Sequence, residues 1–381
     1  MKSDNTITAL SRYYPTICIT HKCNLNCTYC YQNHDEKRMS FETAKKVIDE
    51  IFNNIPPGFD SVEIDLIGGE PLLEFDLLKD IVQYTCSTPR KVKFLFYATT
   101  NGTVLDLEMK EWFAAHKNCF VLGLSLDGQK DTHDYNRSNS FDRIDIDFFR
   151  RHYPEQGIKM TLSEYSLSHL AENIKYCHSL GFPEIGGVNL AEGDFNWDSD
   201  EFIDVIITQL SDLVEFYVEN DSLKLNQMFD KKLSMCDVKN SNVDKWCGIG
   251  TSTVFFDIDG RKYPCPFVTP MTFNKSALAS IMKTDFEDAS CFVDNDCCND
   301  CYIYPICPTC YGANYLVNST FKQRDKRRCR IHKLIALFVA DLNAKLIIKT
   351  PDKFDDGTLL HTINAIKTIR ELYLPEFDSL I

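Results

Sequence analysis

The stretch Cys23-Asn-Leu-Asn-Cys27-Thr-Tyr-Cys30 places three cysteines within eight residues, directly after the short apolar segment Ile17–Thr20. The apolar segment is typical of a buried β-strand, because it is short, rich in β-branched residues and followed by polar ones. Three thiolates this close in sequence can bind one face of an iron–sulfur cubane, which leaves one iron without a protein ligand. An iron with a vacant coordination position can bind a small molecule, as an open catalytic metal site does.

Zinc is the alternative metal for these three cysteines. Structural zinc sites are almost always four-coordinate, and the C-x3-C-x2-C spacing supplies three ligands with no fourth cysteine nearby. His21 and His34 are close in sequence, but neither has the spacing of a usual zinc ligand. The ligand count therefore favours an iron–sulfur cluster.

Charge and cysteine content narrow the class of protein. The chain has 381 residues, and 41 Lys and Arg against 55 Asp and Glu give a net charge of -14, which argues against general nucleic-acid binding. Met1–Ser11 lacks the layout of a signal peptide, and no apolar run is long enough for a membrane span. We therefore expect a cytoplasmic protein without a membrane or nucleic-acid partner. Thiols stay reduced there, so the 17 cysteines indicate metal binding rather than disulfides.

The first two-thirds of the chain alternates short apolar runs with segments of helical periodicity. The predicted helices include 41–52, 75–84 and 201–218, and Ser40 is a plausible cap for the first. Repeated β–α alternation predicts parallel strands with helices outside. Six units predict an α/β fold built as a partial (β/α)6 TIM-like barrel, with functional residues at the C-terminal ends of the strands. The predicted strands are Ile17–Thr20, Val62–Ile67, Val92–Thr99, Val121–Leu126, Ile158–Leu162 and Ile185–Leu190.

The pattern changes near Cys236. From there to Arg330 the chain is rich in cysteines and turns, which is typical of a region held together by metal. A helix over Leu334–Leu346 and a short tail are predicted to follow. We expect a barrel core over 1–235, a Cys-rich domain over 236–335 and a C-terminal helical tail over 336–381.

Cys23, Cys27 and Cys30, with the aromatic Tyr29 before the last cysteine, resemble the signature of the radical S-adenosylmethionine (SAM) superfamily. The resemblance implies a [4Fe-4S] cluster whose open iron binds the amino and carboxylate groups of SAM. An electron from the cluster would then cleave SAM to a 5′-deoxyadenosyl radical. In such enzymes the cofactors carry the chemistry, while the protein positions and shields them.

Polar elements at later strand ends extend the resemblance. Gly68-Gly69-Glu70-Pro71 matches the family element that meets the SAM amino group, and glycines there permit close approach of the backbone to a ligand. The resemblance implies that Ser125 and Asp127 reach the SAM ribose or carboxylate, and that Arg137 pairs with the SAM carboxylate. Ordinary turn chemistry is the alternative for each of these residues.

The later part of the chain contains Cys247, Gly260-x4-Cys265, Cys298-Asn-Asp-Cys301-x5-Cys307-Pro-Thr-Cys310 and Cys329. This pattern resembles the SPASM extension of radical SAM enzymes that mature peptides, quinohaem proteins and sulfatases. The resemblance implies two auxiliary [4Fe-4S] clusters, and so three clusters in all. It assigns Cys298, Cys301, Cys307 and Cys329 to an outer cluster, and Cys247, Cys265 and Cys310 to an inner one. A zinc-ribbon-like region is the alternative, but the cysteine spacing fits it less well.

Two departures from the family pattern stand out. Cys307 and Cys310 are separated by two residues where the family has three, and the inner cluster lacks one ligand. Cys236 or another group completes that site, or an iron stays open and can bind a substrate thiolate. The remaining cysteines, except the unassigned Cys297, are interpreted as buried small apolar residues: Cys18, Cys86, Cys119, Cys177 and Cys291.

The resemblance predicts a maturase that abstracts hydrogen from a ribosomally made precursor peptide and installs a carbon–carbon, thioether or ether cross-link. One alternative is an anaerobic sulfatase-maturating, formylglycine-generating enzyme. In that class we expect an Asp base directly after an inner-segment cysteine, whereas Cys265 precedes Pro266, and Asp257 and Asp259 are out of register. The other alternative is a non-catalytic iron–sulfur electron carrier or scaffold.

Two kinds of protein partner are expected. The basic stretch Lys322–Arg330 is interpreted as a solvated face. The alternative, functional hypothesis is that this stretch docks an acidic flavodoxin, ferredoxin or leader peptide. Residues 1–15 are too few to fold alone, so peptide recognition is expected on the barrel face or from a separate leader-binding protein.

Overall fold

A computed structural model describes residues 12–182, 185, 187–193, 195, 197–238, 245–292, 298 and 300–377. Residues 1–11 and Cys297 lie outside the described residues. The described strands are β1 (Arg12–Thr20), β2 (Ser61–Gly68), β3 (Lys93–Thr100), β4 (Phe120–Leu124), β5 (Met160–Leu162), β6 (Val188–Leu190), β7 (Thr253–Phe256) and β8 (Lys262–Tyr263). The described α-helices are α1 (Phe41–Asn53), α2 (Phe75–Ser87), α3 (Leu107–His116), α4 (Lys130–Asn136), α5 (Ile146–His152), α6 (Glu164–Leu167), α7 (Leu170–Ser179), α8 (Asp200–Glu219), α9 (Ser234–Asp237), α10 (Lys275–Ile281), α11 (Tyr311–Asn318), α12 (Cys329–Lys349) and α13 (Asp356–Phe377).

The strands form an open arc in which all pairs are parallel except the antiparallel pair of β7 and β8. One sheet has the order β4-β3-β2-β1-β7-β8, and β5 and β6 form a second, parallel pair. Two backbone hydrogen bonds join the sheets, from Leu126 N to Lys159 O and from Lys159 N to Leu124 O, both at 2.9 Å. The strands β1 to β6 therefore follow one another around the arc with helices between them, and the predicted partial (β/α)6 barrel is confirmed.

Local sequence explains why the helices cover the outer face of the arc. The Ser40 side chain caps α1 by accepting a hydrogen bond from Thr43 N at 3.1 Å, as predicted. Val62, Ile64 and Leu66 of β2 are buried in one apolar core with the inner stripe of α1. The intervening residues of β2 face the other side of the sheet and stay partly accessible, because side chains alternate along a strand. The inner face of the arc is therefore partly polar and is not a packed apolar core.

The region after Cys236 is built onto this arc. β7 pairs in parallel with β1, so the Cys-rich region contributes a strand to the main sheet. A second apolar cluster lies there, with Phe255, Phe267 and Tyr311 among its buried residues. The predicted helix near 334–346 is longer than expected and begins at Cys329, so it crosses the expected boundary at 335. The expectation of a short tail after it is wrong, because the 22-residue helix α13 packs along α12.

Among the described residues, none of the helices combines the length and the apolar character needed to cross a bilayer.

Candidate functional site

The loop that carries Cys23, Cys27 and Cys30 lies across the C-terminal ends of the first four strands. Gly69 N donates to Thr20 O at 3.1 Å, and Glu70 N donates to Lys22 O at 2.9 Å. A Cβ atom on Gly69 would lie 2.5 Å from Lys22 O and 2.7 Å from Cys23 Cβ. The close approach that requires glycine is therefore to the cysteine loop itself, whereas we expected it to be to a ligand.

Glu70 is buried and holds the ends of β2 and β3 together. Its carboxylate accepts hydrogen bonds from Leu72 N at 3.1 Å, Thr100 Oγ1 at 2.7 Å and Asn101 N at 2.8 Å. Burial raises the pKa of Glu70, and these hydrogen bonds oppose that rise. The contact of Glu70 with the SAM amino group stays a prediction. The Glu70 carboxylate would have to accept this hydrogen bond in addition to the three that it already accepts.

Asp127 and Arg137 form a buried ion pair below the cysteine loop. Arg137 donates through Nε to Asp127 Oδ2 at 2.9 Å and through Nη2 to Oδ1 at 3.1 Å. The Tyr29 hydroxyl, which belongs to the cysteine stretch, donates to Asp127 Oδ2 at 2.5 Å. The Arg137 guanidinium lies 5.4 Å from the centre of the Tyr29 ring. In this structure Asp127 and Arg137 bind each other and anchor Tyr29, and the contacts with SAM that the resemblance implies for both residues stay predictions.

Further contacts of the cysteine loop were not foreseen from the sequence. Asn101 Nδ2 donates to Asn24 Oδ1 at 2.9 Å, and Ser138 Oγ accepts from Asn26 N at 2.9 Å. Ser138 and Asn139 adopt positive φ angles of 58° and 51°, so the turn after Arg137 presents Ser138 to the loop. The Asn- and Ser-rich sequence after Arg137 was the available signal, because such residues favour this conformation. Ser125 lies half-buried just after β4.

The three thiols of the loop differ in their electrostatics. Burial raises the pKa of the Cys27 thiol to about 11, and it also raises the pKa of Cys23. Burial is the largest influence on Cys30 and raises its pKa, but the pKa is lowered overall, because the hydrogen bonds to His34 Nε2 at 3.4 Å and to the Gln32 backbone act together with the charges of His34 and Arg137. The three thiols lie on one short loop at the C-terminal ends of the strands, and none of them is in a disulfide. Three such sulfur ligands fit an iron–sulfur cluster.

A cavity of about 550 Å³ lies at the other cysteine group. Five of the seven predicted auxiliary ligands line it: Cys298, Cys301, Cys307, Cys310 and Cys329. The last of these is the first residue of α12, so this helix brings Cys329 to the turns that carry the others. Tyr373 of α13 also lines the cavity, with its hydroxyl 3.5 Å from Cys301 Sγ. The sequence did not indicate Tyr373, because it lies 72 residues from Cys301.

The other two predicted auxiliary ligands lie near Cys310. Burial raises the pKa of Cys265 to about 12, and the charge of Cys247 adds to the rise. Burial also raises the pKa of Cys310, with the carboxylate of Glu192 and the charge of Cys265 adding to it. Cys247, Cys265 and Cys310 are therefore neighbours. Cys236 is instead close to Cys301, where the charge of Cys301 adds to the pKa rise that burial causes.

The basic stretch 322–330 is only partly exposed, because some of its arginines pack against the fold while Lys322 and Lys326 face solvent. Arg324 is buried, stacks at 4.0 Å on the Tyr304 ring and donates to Cys307 O at 3.0 Å. Arg328 pairs with Glu192 at 3.1 Å. The interpretation as a solvated face is wrong for these residues, which line the cysteine cavity instead.

The interpretation of the remaining cysteines as buried apolar residues holds for some of them. Cys18 and Cys177 are fully buried, as predicted. The prediction is wrong for Cys86, which is exposed, and Cys119 and Cys291 are half-buried.

Comparison with known proteins agrees with this geometry. The family model described as Radical SAM superfamily matches residues 17–205. The chain is 29% identical over 174 residues to the uncharacterized protein MJ0907 of Methanocaldococcus jannaschii, a match that covers 44% of this chain and 59% of the relative. It is 24% identical over 322 residues to a cysteine-type anaerobic sulfatase-maturating enzyme of Clostridium novyi, covering 75% of this chain and 83% of the relative.

Two solved structures show a similar fold. A histidine-tagged form of anSMEcpe with bound AdoMet superposes with a TM-score of 0.67 at 19% identity, covering 94% of this chain and 98% of that one. SuiB of Streptococcus suis bound to precursor peptide SuiA superposes with a TM-score of 0.57 at 17% identity, covering 83% and 76%. Because the three-cysteine loop sits on a partial barrel whose sequence matches the family model, residues 17–205 of this chain form a radical SAM domain.

Proposed function

We propose that this enzyme is a maturase that modifies a precursor peptide, with Cys23, Cys27 and Cys30 binding the SAM cluster. The other seven predicted ligands would bind two auxiliary clusters. The observation that carries the proposal is the cavity in which five cysteines from separate turns and a helix face one another. Reduced cysteines converging on one space are typical of a metal centre rather than of an apolar core.

When bound, the SAM cluster supplies one electron that cleaves SAM to a 5′-deoxyadenosyl radical. The chain's own contribution is to position the cluster loop. The Asp127–Arg137 pair and Glu70 hold the loop at the ends of β2, β3 and β4 through bonds that are mostly buried. A rigid support of this kind keeps reacting groups in place.

The inside of the arc offers room for a substrate. A cavity of about 950 Å³ is lined by polar side chains such as Lys159, Thr161 and Asn189 and by apolar ones such as Trp246 and Ile306, and its size suits a bound molecule. Asn189 and Trp246 also line an adjoining cavity of about 200 Å³, which reaches Cys307. A substrate in this cavity would therefore lie near the auxiliary cysteine Cys307.

The substrate class is proposed from the relatives as well as from the site. SuiB was solved with its precursor peptide SuiA, and such a peptide is the partner that we propose here. A carbon–carbon, thioether or ether cross-link removes two hydrogens from the peptide, so the enzyme must pass on a second electron. The auxiliary clusters would accept it. A flavodoxin or ferredoxin is the proposed reductant, and a separate leader-binding protein the proposed further partner.

Sulfatase maturation by formylglycine generation is the second candidate, because the relative from Clostridium novyi is named a cysteine-type anaerobic sulfatase-maturating enzyme and its match covers 75% of this chain. The residue that we expect to act as its base is not found after Cys265. Asp257, the nearby buried carboxylate, is already bonded to His21 at 2.7 Å. The peptide cross-linking function therefore remains the first proposal.

Coexpression with candidate peptides from neighbouring small open reading frames tests the proposal. We expect anaerobically purified protein to hold about 12 irons per chain, and to release 5′-deoxyadenosine with SAM and dithionite. Mass spectrometry should then show a peptide that has lost two hydrogens and resists fragmentation between the linked residues.

Two other outcomes would each support one of the alternative functions. A Cys- or Ser-containing sulfatase peptide converted to a hydrazine-reactive aldehyde would establish the formylglycine activity instead. No deoxyadenosine, from protein with full iron content, would favour the non-catalytic carrier. The Cys30→Ala variant should lose deoxyadenosine release, whereas the matched control Cys86→Ala, which removes an exposed thiol on α2, should keep it.

A further inference from the structure

A second group of potential metal ligands lies at the junction of β1 and β7. Cys18 is near the end of β1, His21 follows that strand directly, and Asp257 follows β7. The two strands run in parallel with Ile17 opposite Phe256, so Cys18 and Asp257 occupy neighbouring positions at the same end of the sheet.

All three side chains are buried, and their ligand atoms converge. Cys18 Sγ, one imidazole nitrogen of His21 and one carboxylate oxygen of Asp257 all lie within 4.8 Å of one another. In a tetrahedral zinc site, bonds of about 2.0 Å to nitrogen or oxygen and about 2.3 Å to sulfur place neighbouring ligand atoms roughly 3.3–3.8 Å apart. The three atoms are thus near the spacing that an ion requires. His21 Nε2 and Asp257 Oδ1, at 2.7 Å, would have to separate by about half an ångström.

The surroundings of His21 match those of a metal-binding histidine. Its Nδ1 lies 3.1 Å from Asp35 Oδ1, and Asp35 is itself held by the backbone N–H of Lys37 at 3.0 Å. Metal-binding histidines usually donate their second ring N–H to a carboxylate, which fixes the tautomer and points the other nitrogen at the ion. This arrangement directs His21 Nε2 toward Cys18 and Asp257.

We propose that Cys18, His21 and Asp257 supply three ligands to one zinc ion, separate from the iron–sulfur clusters, with a solvent molecule as the fourth ligand. A thiolate and a carboxylate supply two negative charges that a divalent cation balances in a buried place, and the mixed sulfur, nitrogen and oxygen ligands suit zinc. The ion would join the start of the cysteine loop to β7, and so connect the barrel to the Cys-rich region. The alternative is a metal-free hydrogen-bond network in which Cys18 stays a neutral thiol.

Metal analysis of the complete protein distinguishes the two. The protein is purified anaerobically with its iron–sulfur clusters reconstituted, supplied with one equivalent of zinc and passed through a desalting column. Iron and zinc are then measured per chain, and the zinc environment is read from X-ray absorption at the zinc edge. We expect one zinc, with one sulfur at about 2.3 Å and nitrogen or oxygen ligands at about 2.0–2.2 Å.

Variants locate the ion. Cys18→Ala and Asp257→Asn should lower the zinc content at least tenfold while leaving the iron content unchanged. Cys177→Ala, which removes another fully buried thiol, and Asp259→Asn, which changes a nearby exposed carboxylate, should both keep it.

Three results would overturn the proposal: wild-type protein without zinc, zinc bound by sulfur alone, or zinc retained in both Cys18→Ala and Asp257→Asn. Sulfur-only coordination would mean that zinc had entered a cluster site. The absorption measurement needs only the wild-type protein, so a variant that fails to fold does not block the test. The zinc measurement does not depend on SAM cleavage. The zinc proposal can therefore be refuted or supported independently of the proposed maturase function.

Discussion

Replacing Asp127 by Asn tests whether the ion pair under the cysteine loop holds the site together. The substitution keeps the shape of the side chain but leaves the Arg137 guanidinium, which is 8% exposed, without its counter-charge. Removing one partner of a buried ion pair usually costs about 3–5 kcal/mol in the free energy of unfolding. Asp127 also accepts from Tyr29 and from Thr161 N at 3.1 Å, so the loss extends to the cysteine loop and β5.

The expected shift in melting temperature follows from the size of the chain. An unfolding entropy of about 2.1 cal/mol/K per residue gives about 0.8 kcal/mol/K for a protein of this length. A loss of about 3–5 kcal/mol then lowers Tm by about 4–6 °C. Anaerobic differential scanning fluorimetry or calorimetry measures the shift. The exposed pair Asp147–Arg150 provides the control, since Asp147→Asn should change Tm by less than about 1 °C.

A double-mutant cycle shows whether the pairing itself is responsible. The Asp127→Asn/Arg137→Met protein removes both charges, so it should be more stable than the sum of the two single losses predicts, by about 2 kcal/mol or more. Additive losses would refute the argument, as would an Asp127→Asn protein that melts within about 1 °C of the wild type.

Three further predictions follow from other parts of the site. Gly69→Ala should displace the cysteine loop and remove the SAM cluster, seen as a loss of about one-third of the iron, whereas Gly357→Ala, whose nearest neighbour would be the Asp355 side chain, should keep full iron. Burial raises the pKa of Asp65 to about 6, above its unfolded value of about 3.9, so the free energy of unfolding should fall as pH rises from about 4 to 6. Asp65→Asn should therefore raise Tm by about 3 °C at pH 7.5 and by less at pH 5, and an equal gain at both would contradict this cause. Tyr373→Phe removes the hydroxyl that lies 3.5 Å from Cys301 Sγ. Losing a hydrogen bond of about 0.5–1.5 kcal/mol destabilises the reduced cluster, so the reduction potential of the outer auxiliary cluster should fall by about 20–60 mV in an anaerobic EPR titration. An unchanged potential would exclude a hydrogen bond from Tyr373 to the cluster.

Much of the architecture could be predicted from local patterns. The six parallel strands and the helices over 41–52, 75–84 and 201–218 follow from apolar periodicity, which reflects what each segment must bury on its own. The cysteine spacing likewise indicated the metal chemistry of the loop, because the three ligands are close in sequence. A C-terminal helical tail was predicted over 336–381, but the separate 22-residue helix α13 within it was not.

Partners far apart in the chain could not be predicted. Residue types and spacing along the chain determined the parallel α/β arc and the three-cysteine loop, since both depend on neighbours within a few residues. The tertiary structure alone decided that Arg137 binds Asp127, that Tyr373 reaches Cys301 and that Cys18 meets His21 and Asp257. A buried charge or polar group takes the partner that folding brings within reach, and that choice depends on how strands and helices pack in space.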